Sequence, residues 1–369
     1  MGNDYRDASE LCAVFSVKKS MNSMTVYTID PLSDPRWAEL VQKHEKASVF
    51  HTPGWLTALR QTYNYRPVAF TTSPPGTELT NGVLFCSVKS WITGNRLVSL
   101  PFSDHCSPLV DSSEELQHIL DFLREDIVRS KWRHIEIRPR EMRVPGVDNF
   151  EADKSYYFHT LSLIATLDEL FRRFHKDCIQ RKVHRALREK LRYEEGRSAS
   201  LLDEFYHLLV TTRRRQGLPP QPKEWFRNLI RCLADKITIR VVSKENHPIA
   251  SILTLSHKQS LIYKYGCSDP SFNNLGGTPL LFWNTITEAK NNQFAELDLG
   301  RSDRDNPGLA TFKDRLGAVR SELVYFRYPG QRSQSTSPTW RSSAAKYIVA
   351  RMPNVFLTAT GKALYRHVG

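Results

Sequence analysis

The sequence predicts an α/β (α+β) fold built from two tandem copies of one unit, each a mixed central sheet flanked by helices. Three observations predict it. Strand-like runs alternate with amphipathic helical segments along most of the chain. One element order (helix, three meander strands, loop, helix, strand) occurs twice. Each copy's long loop opens on the same dipeptide, Ser103-Asp104 and Ser268-Asp269.

In the first copy the pattern predicts a helix over 55–63, after Pro53-Gly54, and strands over 66–71, 82–88 and 96–100 with turns between them. The loop SDHCSPLVDSS leads to an amphipathic helix over 114–130 and a strand over 134–138. In the second copy, helices over 201–215 and 224–234 precede strands over 238–242, 249–255 and 261–265. The loop SDPSFNNLGG then opens a helix at Gly276-Gly277-Thr278-Pro279, with Pro279 in its first turn and Thr278 as its cap, and a strand over 294–299 closes the copy. Between the copies, residues 172–192 are helical by pattern. Ile179, Val183, Ala186, Leu187 and Leu191 form an apolar stripe, and Arg181, Arg185, Arg188 and Arg192 a basic one. The expected organisation is a flexible tail over 1–24, domains over 25–160 and 161–330, a Ser/Thr/Pro/Arg-rich linker over 331–345, and a C-terminal helical segment over 346–369. That last segment carries Tyr347, Phe356, Leu357 and Leu364, which need a surface, so it is expected to pack back on the first domain.

At 369 residues the chain exceeds one core, and 40% hydrophobic with 11% aromatic residues suits soluble globular packing. A net charge of +13 implies an anionic partner: a phosphate-bearing ligand, nucleic acid or an acidic membrane surface. No helix-turn-helix, zinc-finger or RNP motif is present, which argues against sequence-specific DNA recognition. The six cysteines are far apart with no zinc spacing, so reduced thiols, a cytoplasmic setting and no metal are expected. No apolar run approaches a membrane span, and the run over 11–17 is too short for a signal peptide. Met21 or Met24 is an alternative start.

Strand, glycine turn, helix, strand is a unit that turns backbone N–H groups and a positive helix end toward an anion, either a phosphate or a developing oxyanion. Only the second copy has the glycines, and their amides are expected to border an open crevice; close packing of the turn is the alternative. The donor of such chemistry would lie near Tyr265, Asn273, Asn274, Gly276, Gly277 and Thr278. Glu296 and Asp298 leave one face of their strand, and Asp298, beside Gly300, is the candidate base, with Asp303 its rival. In Asp104-His105-Cys106, neighbours in extended chain point to opposite faces, so His105 does not serve Cys106 and the segment reads as structural or as an acceptor pocket, with His105 a candidate substrate contact. Arg181 and Arg185 suit phosphates on the acceptor or donor, or else form a solvated face.

The element order of each half resembles the GNAT acyltransferase fold. The duplication and the ending GLATFKDRLGA look like the FemAB/FemX aminoacyltransferases, whose second GNAT-like domain closes with Gly-Leu-x-x-Phe-Lys-x-x-Phe/Leu-Gly, met here at Gly308, Leu309, Phe312, Lys313, Leu316 and Gly317. LVSLPFSDHCSPLVD, KYGCSD, NLGGTPLLFW and DLGRSD resemble a FemAB-related subfamily associated with exopolysaccharide and PEP-CTERM systems of Gram-negative bacteria. The resemblance spans about residues 25–330. It implies acyl transfer to an amine on a saccharide or envelope precursor, with Lys313 near the transferring carbonyl or the donor's phosphates, and Asp111 of Pro108-Leu109-Val110-Asp111 touching the acceptor. Asp111 equally suits a helix cap. The donor would be an acyl-CoA or an aminoacyl-tRNA. The GNAT phosphate loop, (Gln/Arg)-x-x-Gly-x-(Gly/Ala), is met only loosely at Asn273, Gly276 and Thr278, and the long coiled-coil arm of some Fem enzymes is absent. Two rival readings are a CoA-dependent GNAT N-acetyltransferase and a non-catalytic module that docks polysaccharide or lipid, with contact at the inner face of the membrane.

Overall fold

The computed structural model describes residues 24–141, 147, 149–329, 347 and 349–367; nearly all of the expected tail and the whole expected linker lie outside them. Twelve strands join in one sheet. The first half supplies a meander, β1 (Tyr27–Ile29), β2 (Arg66–Thr71), β3 (Val83–Val88) and β4 (Arg96–Val98), followed by β5 (Ile135–Ile137) parallel to β4. The second half repeats this with β7 (Arg192–Gly196), β8 (Ile237–Lys244), β9 (His247–His257) and β10 (Ser260–Ser268), then β11 (Glu296–Asp303) parallel to β10.

Two further strands, which the sequence pattern had not singled out, decide the architecture. β6 (Glu151–Ser162) follows β5 in the chain but pairs with β11, whereas β12 (Val319–Tyr328) follows β11 but pairs with β5. β6 and β12 also pair with each other, antiparallel, from Val319↔Thr160 to Arg327↔Glu151. Each half therefore lends its last strand to the other. The exchange joins the two halves into one continuous sheet, with β6 and β12 paired where two edges would otherwise meet.

Nine helices among the described residues bear on the site or on the joining of the halves: α1 (Pro35–Lys43), α2 (Pro53–Tyr63), α3 (Ser113–Asp126), α4 (Leu167–Arg173), α5 (Arg181–Arg188), α6 (Ala199–Arg215), α7 (Lys223–Leu233), α8 (Gly277–Asn291) and α9 (Pro307–Arg315). The helix expected over 172–192 is broken. His175 accepts from the Cys178 N–H through its ring, a π turn fills Lys176–Gln180, and Lys190 at φ +51° ends the run. Arg192 therefore moves onto edge strand β7, beside Glu194, and the basic stripe keeps only its first three members on α5. Thr278 does not cap α8. Gly276 does, at φ +83°, because a Cβ there would stand 2.2 Å from the Lys182 carbonyl oxygen.

One core spans both halves. Trp37, Phe50 and Trp55 of the first pack with Phe205, Trp225 and Phe226 of the second, and the Trp55 and Trp225 rings meet edge-on at 5.2 Å. Each such side chain contributes about 1.5–3 kcal/mol when fully buried. The segments flanking the C-terminal helix α10 (Asn354–Leu364) touch both halves: the Tyr65 hydroxyl donates to the Tyr365 carbonyl at 2.6 Å, and Arg214 donates to the Met352 carbonyl at 3.2 Å.

Candidate active site

β10 and β11 run parallel only from Ser260↔Glu296 to Ile262↔Asp298. Beyond that point β10 bulges between Tyr263 and Tyr265, and β11 between Asp298 and Gly300, so the two strands part. The loop after β4 in the first half brings Asp104 and His105 to the opening.

Asp104 Oδ1 lies 3.1 Å from Lys264 Nζ and 3.7 Å from Arg301 Nε. Its approach to β11 is so close that a Cβ on Gly300 (φ +70°) would stand 2.6 Å from Oδ2. His105 Nε2 lies 3.0 Å from Asp298 Oδ2, and Asp298 Oδ1 accepts the Gly300 N–H at 2.7 Å. Asn306 caps α9, whose Lys313 is 2% exposed and donates to the carbonyls of Gly300 and Arg301 at 2.9 and 3.0 Å. From β12, the Tyr325 hydroxyl donates to the Asp104 carbonyl at 2.6 Å and accepts from Arg301 Nη1 at 2.7 Å. The Arg301 guanidinium sits 4.4 Å from the Tyr156 ring centre.

Three cations thus face two carboxylates in a largely dry setting. Burial alone would raise Asp104, but Lys264 and then Arg301 outweigh it and hold the carboxyl below its ordinary range. Burial depresses Lys264 against the pull of Asp104. It also brings Lys313 down to about 8, opposed by Asp104 and Asp298. Such a group is a fixed cation near neutrality, suited to stabilising charge on a developing oxyanion.

Four residues expected from the sequence meet here: Lys313, Asp298, Asp104 and His105. Asp303 is exposed at the end of β11. Tyr265 points into the shared core, where its hydroxyl accepts the Trp225 indole N–H at 2.9 Å. Asp111 is 85% exposed beside His44, at 3.6 Å, and Ser112 is the cap of α3. The paired glycines are closed over rather than open: Gly276 abuts the Lys182 backbone, and Gly277 abuts Ile249 and Ala250. An adjacent cavity of about 820 Å³ is lined by Arg181, Lys182, Arg185 and Arg188 of α5 and by Asn273 and Asn274, just before Gly276. Lys264, Arg301 and Tyr325 had escaped sequence reasoning. The available signals were a lysine inside the apolar strand LIYKY and the presence of Lys264 and Arg301 in the phrases KYGCSD and DLGRSD. Among the described residues, no cluster of three or more His, Cys, Asp or Glu is arranged to hold a metal, and no helix is long and apolar enough to cross a membrane.

Two tandem units, each with a central pair of parallel strands joined through a helix, define the tandem GNAT-like fold. Comparison with known proteins agrees: residues 171–314 match the acetyltransferase (GNAT) domain family. FemX is similar in structure at a TM-score of 0.63 and 16% identity, over 79% of this chain and 94% of that one. A tandem GNAT protein from the clavulanic acid biosynthesis pathway is similar at 0.52 and 8% identity, over 84% and 100%. L-PGS from Bacillus licheniformis is similar at 0.50 and 16%, over 86% and 96%. The chain therefore has the FemAB-like tandem GNAT fold. No curated protein matches it in sequence.

Proposed function

We propose that the protein is an N-acyltransferase that moves an acyl or aminoacyl group to an amine on a saccharide or cell-envelope precursor. The observation that carries this reading is the meeting of Lys313, Asp104 and the His105–Asp298 pair where β10 and β11 part. The donor's phosphates lie against Arg181, Lys182 and Arg185, whose cations form charge-assisted bonds to them. The donor carbonyl sits in the parting of the strands, where the Lys313 ammonium stabilises charge on its oxygen. The amine nitrogen attacks the carbonyl carbon; the new C–N bond forms as the C–S or C–O bond to the donor breaks. With Nε2–H donating to Asp298, Nδ1 of His105 takes the amine proton and returns it to the leaving group.

The match to the acetyltransferase family favours a coenzyme A thioester as donor. An aminoacyl-tRNA is the choice favoured by the FemAB-like motifs around Lys313. Stabilisation of the protein against heat by acetyl-coenzyme A, with none by aminoacyl-tRNA, selects the first. For the reaction itself, Lys313→Ala should remove turnover with the fold intact by circular dichroism, and Arg181→Glu with Arg185→Glu should raise KM for the donor. Undiminished turnover in Lys313→Ala overturns the reading.

A further inference from the structure

The hairpin between β3 and β4 ends in a turn that buries almost none of its apolar side chains. Trp91 is 88% exposed and Ile92 54%. The turn is built rather than loose: Ser90 Oγ accepts the N–H groups of Ile92 and Thr93 at 3.1 and 3.0 Å, and the His367 ring lies edge-on to the indole at 5.8 Å. The segment after α3 is joined to it, since the Arg133 N–H donates to the Asn95 carbonyl at 2.7 Å. That segment presents Val128, 83% exposed. Exposed Lys89, Lys131, Arg133 and Arg366 lie beside these apolar points in the chain or in the fold. The acidic side chain nearest in sequence to Val128, Asp126, is occupied by Arg129 and Ser130.

Three apolar tips interleaved with cations do not resemble the centre of a protein interface, which is contiguous and depleted in charge. They match a fluid anionic surface, where an indole settles at headgroup depth, aliphatic tips enter the acyl boundary, and lysine and arginine meet lipid phosphates. The chain's charge of +13 points the same way.

We propose that the Trp91–Ile92 turn, with Val128 and its flanking cations, is a docking surface for an anionic lipid bilayer. None of these residues belongs to the candidate active site, so the proposal stands or falls apart from the catalytic reading. The test is co-sedimentation of the full chain with vesicles of phosphatidylcholine containing phosphatidylglycerol, and with phosphatidylcholine alone. Wild type should bind the anionic vesicles, lose binding as salt is raised, and bind neutral vesicles far less. Trp91→Ser with Ile92→Ser, and separately Lys89→Glu with Arg133→Glu, should each lower the partition coefficient about tenfold or more, while both keep the wild-type unfolding temperature. The proposal is overturned by absence of wild-type binding at low salt, by equal binding to neutral and anionic vesicles, or by wild-type binding in the Trp91→Ser, Ile92→Ser variant.

Discussion

His105 and Asp298 stand 193 residues apart in sequence and 3.0 Å apart in space, Nε2 to Oδ2. The imidazole comes from a loop of the first half and the carboxylate from a central strand of the second. Its ring is further fixed by edge-on contacts with Phe50 at 5.5 Å and Phe158 at 5.6 Å. A carboxylate beside one ring nitrogen settles the tautomer and leaves the other nitrogen as acceptor.

If this pair manages the amine proton, His105→Ala lowers kcat about 10²–10⁴-fold, with a much smaller change in KM for the donor. Asp298→Asn keeps the ring in place but disturbs its tautomer, and should also lower kcat. Steady-state kinetics on both variants decide the point, and wild-type kcat in His105→Ala removes the role.

Lys313 makes stability depend on pH in a defined direction. Its folded value of about 8 lies below the ordinary lysine value of 10.5, because burial penalises the ammonium. Between those two values the unfolded chain binds more protons than the native one, so native stability rises with pH across that window. Below it, the charged buried lysine costs about 3 kcal/mol in full. Denaturant unfolding at neutral pH and near pH 10.5 should therefore show wild type gaining on Lys313→Met by up to about 3 kcal/mol. A stability gap between the two proteins that does not move with pH contradicts the shift.

Gly300 is required by geometry. An alanine there puts a Cβ 2.6 Å from Asp104 Oδ2 and places a non-glycine residue at φ +70°. The backbone term alone costs about 1–2 kcal/mol, and Asp104 must also move away from Lys264. Gly300→Ala should lower the unfolding temperature and reduce activity together. A variant with wild-type melting and kinetics would show that Asp104 has room to move.

Most elements of the meanders and the connecting helices were legible, because period-two and helical patterns are written locally in side-chain order. The failures are informative. β6 and β12 read EADKSYYFHTLS and VRSELVYFRY, half-polar runs whose pairing depends on a partner from the other half. The 172–192 segment kept helical periodicity through a break made by the His175 ring and a π turn. Lys313 was legible through its motif, and Asp298 through its place beside Gly300, although the strand expected to end at 299 runs on to Asp303 past a bulge. Lys264 and Arg301 became site residues only when Asp104 arrived between them.

Residue order alone determined that the chain is a duplicated α/β unit with a glycine-led helix and a motif-borne lysine in its second copy. Those features depend on spacing over a few residues, where sterics, alternation and turn chemistry act directly. Tertiary structure alone decided that β6 and β12 change sides, that the paired glycines serve close packing on Lys182 and on Ile249 and Ala250, and that five charged side chains gather where β10 and β11 part. Strand partnership and burial of charge are non-local: each is set by register and desolvation summed over the whole assembled sheet, and no short stretch of sequence contains that sum.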